Sequence, residues 1–122
     1  MLDKKAIKRN YKENPPMIGV YLIQNKINGK FLIGGSENIP GIFNRIKFEL
    51  KLKTHRNKQF LADWLEFGED NFSFEIIDTI EPNNEFAYNY GEDLAVLIDL
   101  CMEKIRQDSQ RLSLTEDYEG YH

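Results

Sequence analysis

The chain predicts an α+β fold organised as one domain, and three observations carry that reading. The run Met17 to Ser36, MIGVYLIQNKINGKFLIGGS, sets two β-rich stretches on either side of Asn28-Gly29, the pattern of a β-hairpin. In the run Asn71 to Thr79, Phe72, Phe74 and Ile76 alternate with Ser73, Glu75 and Ile77, which gives a third strand. Between and after these runs, apolar residues recur at helical spacing, as they do on helices that pack against a sheet.

Composition agrees. With 122 residues, 41% hydrophobic and 30% charged, the chain is long enough for one real core and too short for two. No apolar run approaches the roughly 18 residues of a membrane span, and MLDKKAIKRNYKENPP has no apolar centre of the kind a signal peptide needs. Cys101 is the only cysteine, which excludes an intrachain disulfide and a zinc cluster. A cytoplasmic location and no membrane partner are therefore expected. The net charge of -4 hides an asymmetry: residues 1–60 carry 13 Lys and Arg against 4 Asp and Glu, and residues 61–122 carry 3 against 16. A basic half suits a phosphate backbone, and two halves of opposite sign also suit each other.

Taken in order, Leu2 to Tyr11 reads as a short basic helix ended by Pro15-Pro16, so residues 1–16 form an N-terminal arm. In the hairpin, Asn-Gly predicts a two-residue type I′ turn closed by Ile27 and Lys30, because both central residues of that turn need positive φ. Counting back pairs Asn25 with Leu32, Ile23 with Gly34 and Tyr21 with Ser36 on one face, and Gly34 leaves a gap into which Tyr21 leans diagonally. Ile39, Ile42, Phe43, Ile46 and Leu50 then predict a helix over Gly41 to Lys53, with Arg45, Lys47, Lys51 and Lys53 projecting from its other sides. Asn57 is the expected N-cap of a second helix carrying Phe60, Leu61, Trp64 and Leu65, with Gly68 its stop and Trp64 in the core. A loop is expected over Glu81 to Tyr90. From Glu92 to about Arg106 runs a long helix, acidic at its start and basic at its end as the helix dipole prefers. It is apolar on most sides, which implies burial by the tail or a shared face in a homodimer. The main domain is then 17–106, and 107–122 is an acidic tail anchored only by Leu112, Leu114, Tyr118 and Tyr121.

GVY at 19–21 and LIG at 32–34, with NKINGKFLIGGSENI at 25–39 and HRNKQFLADWLEFGEDNFSFEII at 55–77, resemble the GIY-YIG nuclease superfamily in order and spacing. The resemblance covers about 60 contiguous residues. It implies a three-stranded antiparallel sheet flanked by helices and cleavage of DNA phosphodiesters with one divalent metal, usually Mg²⁺. It also implies four roles: a first-motif Tyr on the attacking water, a second-motif Tyr that helps hold the site, an Arg that meets developing anionic charge, and a Glu that ligates the metal.

Carried over by position, the first Tyr is Tyr21. The second falls on Leu32, the Arg on Ile42 and the metal Glu on Ile98, while Gly19 and Gly34 are the motif glycines. Arg45, three residues after Ile42, is a possible substitute for the Arg, and Glu92, Asp99 and Glu75 are alternative carboxylates. Three functional side chains replaced by aliphatics suggest a site filled in, since apolar packing removes unpaired buried charge. The expected reading is a GIY-YIG-like domain that has lost catalysis, needs no metal or cofactor, and binds DNA through Arg45, Lys47, Lys51, Lys53, Arg56 and Lys58 or binds a protein partner. An active Mg²⁺-dependent endonuclease with relocated Arg and carboxylate is the alternative, and a structural or regulatory homo-oligomer the next. Without its partners Tyr21 is expected to be a half-buried tyrosine, and His55 a solvent-exposed loop residue or a local cap. Ser36 has neither His nor carboxylate at triad spacing.

Overall fold

A computed structural model describes residues 17–82, 88–112 and 118, with side chains of 108–112 outside the description. The basic helix expected over Leu2 to Tyr11 and the middle of the 81–90 loop lie outside the described residues. The elements run β1 (Ile18–Asn25), β2 (Phe31–Ser36), α1 (Ile39–Lys51), α2 (Lys58–Phe67), a 3₁₀ turn (Glu69–Asn71), β3 (Phe72–Ile80) and α3 (Gly91–Leu112). The strands form one antiparallel sheet in the order β2-β1-β3. No helix among the described residues is long and apolar enough to cross a membrane.

Strand alternation divides the core in two. Tyr21, Ile23 and Leu32 face α1 and α2, packing with Ile39, Ile46, Leu50, Phe60 and Phe72. Val20, Leu22, Phe31 and Ile33 face the other way, against Leu97, Ile98, Cys101, Met102 and Ile105 of α3. The α3 helix thus buries one stripe and leaves Val96 and Leu100 more than half exposed.

The hairpin differs from the two-residue expectation. Only Gly29 of the Asn-Gly pair has positive φ, at 79°, and the strands close at Asn25 and Lys30, whose backbone N–H···O distance is 2.8 Å. The reason is local: the Asn25 side chain accepts from Ile27 N at 2.9 Å and the Asn28 side chain from Lys30 N at 2.9 Å. These two Asx turns wind a four-residue loop in place of the type I′ turn. The register moves by two residues, to Ile23–Leu32, Tyr21–Gly34 and Gly19–Ser36. An even shift keeps every side chain on its expected face.

Tyr21 therefore lies directly across from Gly34, not diagonally. A Cβ at Gly34 would stand 2.5 Å from Tyr21 Oη and 2.7 Å from its Cζ, and the ring is buried against Phe43. Gly34→Ala is expected to cost about 1–3 kcal/mol, the usual range for overpacking, read as a lower urea midpoint at unchanged m-value. Tyr21→Phe should not rescue it, because the ring carbons obstruct as well as the oxygen. Gly19 is tighter still: a Cβ there would overlap the carbonyl oxygen of Asp78 and approach Thr79 Cα at 2.7 Å, beside the irregularity in pairing at Val20/Tyr21.

The α1 helix begins two residues before the expected Gly41, because Asn38 caps it through a 3.1 Å bond from Gly41 N. It ends at Lys51 in a Schellman arrangement, with Lys53 N donating to Leu50 O and Thr54 N to Glu49 O. Lys53, at φ 61°, occupies the left-handed position that glycine usually fills. Asn57 and Gly68 bound α2 as expected: Asn57 Oδ1 accepts from Phe60 N at 3.0 Å, and Gly68, at φ 87°, donates its N–H to Trp64 O at 3.0 Å. The α3 helix continues six residues past the expected end at Arg106.

Of the tail beyond α3, Tyr118 is the one described residue, and the expected cover of α3 by the rest lies outside the described residues. Tyr118 is 1% exposed and packs in the core on the opposite side of the sheet, with its N–H donating to Phe31 O at 2.7 Å and its ring 5.4 Å from that of Phe60.

Candidate functional site

Tyr21 is fully buried, 1% exposed, where half burial was expected. Phe43 closes over it edge to face, with ring centroids 5.5 Å apart, and Phe74 stacks on Phe43 in turn at 5.2 Å. The register makes Gly34 and Ile76 its cross-strand neighbours, with Leu32, Ser36, Phe74 and Thr79 next along the partner strands on the same face. None of these carries a carboxylate or a cation. Leu32 is 1% exposed in the same cluster, and Ile42 packs against it from α1.

The other residues assigned to the site by position lie elsewhere. Ile98 is across the sheet from Tyr21, in the core between α3 and the far face, with its Cδ1 3.3 Å from the point where a Cβ on Gly35 would stand. Glu75 pairs with Leu22 and so sits on that same far face, exposed. Glu92 and Asp99 are exposed on α3. The Arg45 side chain is 73% exposed and lies 4.0 Å from Glu49, its i+4 neighbour. Among the described residues no three His, Cys, Asp or Glu converge on a point. Mg²⁺ requires oxygen ligands, one or two of them carboxylates in protein sites, and the cross-strand neighbours of Tyr21 named above carry no carboxylate. Among the described residues, those about Tyr21 do not fit that ion.

A cleft opens nearby on the same side of the sheet. The α1 helix presents Asn44, Lys47, Phe48 and Lys51 along one stripe, at the i, i+3, i+4, i+7 spacing of a single helix face. This stripe faces Trp64 of α2 and Glu69 of the 3₁₀ turn across a space of about 400 Å³. Lys47 Nζ sits 4.7 Å from the Phe74 ring centroid, a cation–π contact. Phe48 is 61% exposed on the wall.

The six cations expected as one patch are divided. Two residues span about 200° of helix, so Arg45 lies roughly 160° around α1 from Lys47 and outside the cleft. Lys47 and Lys51 line the cleft. Lys53, Arg56 and Lys58 are exposed along the α1–α2 connection and the first turn of α2.

The sequence reading missed a polar network around Asp63 and the burial of His55. Asp63 Oδ2 accepts from Tyr118 Oη at 2.7 Å and from Asn28 Nδ2 at 3.2 Å, with Asn25 Nδ2 3.4 Å from the same oxygen and 3.2 Å from Tyr118 Oη. The network ties the hairpin loop, α2 and the tail together. Its one visible signal was Asn25, a polar residue on the core face of a strand. His55 is 1% exposed: its Nδ1 accepts from Asn57 N at 3.1 Å and its ring stands edge-on to Phe60 at 5.0 Å. It is a local cap, buried and not solvent-exposed.

Burial lowers the His55 pKa below its ordinary 6.5. The folded state favours the neutral ring, so this stabilisation is complete above about pH 6.5 and is lost as pH falls below it. Melting temperature should therefore drop from pH 7.5 to 5 more steeply in the parent than in His55→Leu. Equal slopes would assign the acid loss to carboxylates alone.

No family model matches the chain, and no curated protein matches its sequence. Among solved structures it is similar to the catalytic domain of intron endonuclease I-TevI, in a mutant form, with a TM-score of 0.60 at 15% identity over 75% of this chain and 87% of that one. The fold is GIY-YIG-like.

Proposed function

We propose that this chain is a GIY-YIG-fold domain that binds nucleic acid without cutting it. The observation that carries the reading is the apolar packing of Leu32, Ile42 and Phe43 in the cluster that buries Tyr21: two of the positions where the resemblance puts a hydroxyl and a cation carry aliphatic side chains, which neither hold a metal nor meet phosphoryl charge. Binding is supported by Lys47 and Lys51 beside the aromatic wall of the α1–α2 cleft, on a fold similar to that of an intron endonuclease catalytic domain. The acidic residues on α3 and β3 lie on the other face of the sheet, away from these lysines.

A fluorescence anisotropy titration tests the binding. At low salt, labelled DNA should bind with Kd of about 1–100 μM, the non-specific range, weakening steeply as salt rises. Reversing both cleft charges with Lys47→Glu and Lys51→Glu should abolish binding, and Arg106→Glu on α3 should leave it unchanged. Equal loss in all variants, or none in the double variant, would contradict the assignment to this cleft.

A further inference from the structure

We propose that the α1–α2 cleft holds one unstacked nucleotide of a single-stranded nucleic acid, its base on the Phe48 and Trp64 walls and its phosphates at Lys47 and Lys51. This rests on the nucleic-acid reading above and adds the form of the ligand.

Three features support it. Phe48 is a large aromatic that is 61% exposed and lines the cleft with the part-buried Trp64. Aromatic side chains facing an open slot are the platforms on which single-stranded bases stack, with little dependence on base identity. The two lysines lie one turn apart on the same wall, so a planar group that enters the slot meets positive charge at its edge. The space, about 400 Å³, falls near the small end of ligand sites, which suits one nucleotide and not an extended surface.

Duplex DNA does not meet these walls. Its bases turn only edges outward, and stacking on a side chain needs a base that is already unpaired or splayed. An acidic peptide would satisfy the lysines but would leave both aromatic faces without a planar partner. Asn44 and Glu69, on opposite sides of the slot, supply an amide and an acceptor for base edges.

Trp64 is the only tryptophan, so its emission reports on the cleft directly. Titration with a 12-residue oligothymidylate at low salt should quench that emission. Phe48→Ala, at an exposed position and checked for folding by circular dichroism, should weaken the oligonucleotide about tenfold without changing its salt slope. Lys51→Ala should lower the slope of log K against log salt by about 0.7, the value for one phosphate of a single strand. Binding that leaves Trp64 emission and the Phe48→Ala affinity unchanged would overturn this inference while nucleic-acid binding itself stood. No binding of either the oligonucleotide or duplex DNA up to about 100 μM would overturn both. Quenching by an acidic, aromatic peptide in place of the oligonucleotide would also overturn it and assign the cleft to a protein partner.

Discussion

Tyr118→Ala should destabilise the protein by about 3–5 kcal/mol, the cost of truncating a buried aromatic to alanine, and lower the melting temperature by roughly 10–20 °C for a chain of this length. The ring is 1% exposed against Phe60, and its hydroxyl donates the shortest bond in the Asp63 network. Tyr118→Phe keeps the packing and removes that donor. Asp63 still accepts from Asn28, so the loss should be about 1–3 kcal/mol. The two variants separate packing from hydrogen bonding. Alkaline pH gives a third reading: burial, opposed by the bond to Asn25 and reinforced by Asp63, lifts the Tyr118 phenol well above its ordinary 10. A raised folded-state pKa gives stability that is present in full below about pH 10 and is lost as pH rises beyond it, by at most about 1.4 kcal/mol per pH unit. Tyr118→Phe should flatten that decline. A Tyr118→Ala protein that melts within about 2 °C of the parent would show that this residue is not part of the core.

The elements were legible where the information is local. Hydrophobic period placed all three strands and three helices, and Asn57 and Gly68 marked the bounds of α2 because capping involves only residues a few positions apart. The hairpin register was misread by two residues because Asn25 and Asn28 each use a side chain to wind the loop, and that competition is not visible in the Asn-Gly pair alone. The docking of Tyr118 on Asn25, 93 residues away, leaves no periodic trace. The placement of Ile98 was misjudged for a related reason. Its apolar residues announced burial, but no pattern within a helix tells which face of a sheet it covers. Position alone assigned Ile98 to the site around Tyr21, and the sheet separates them. The cleft was half legible: Lys47 and Lys51 were expected in a wider basic patch and Trp64 in the core, but their meeting depends on how α1 and α2 pack.

The second large effect concerns phosphodiester cleavage. Water must be deprotonated, anionic charge on the phosphoryl oxygens must meet a fixed cation, and the metal must be held by an anionic ligand. Losing one preorganised stabiliser typically raises the barrier by about 3–4 kcal/mol, hundreds-fold in rate. At the positions where the resemblance puts three such groups, this chain has Leu32 and Ile42 packed near Tyr21 and Ile98 on the far side of the sheet. Ile98→Glu should therefore create no metal site beside Tyr21, because the new carboxylate would stand in the α3 core, and isothermal titration with Mn²⁺ should match the parent.

A plasmid-nicking assay with purified protein in Mg²⁺ or Mn²⁺, run beside the Tyr21→Phe variant, tests the central claim most directly. The account predicts no nicking above background from either protein. Reproducible nicking by the parent that disappears in Tyr21→Phe would contradict it, because Tyr21 would then be acting as a catalytic hydroxyl in an active metal-dependent endonuclease.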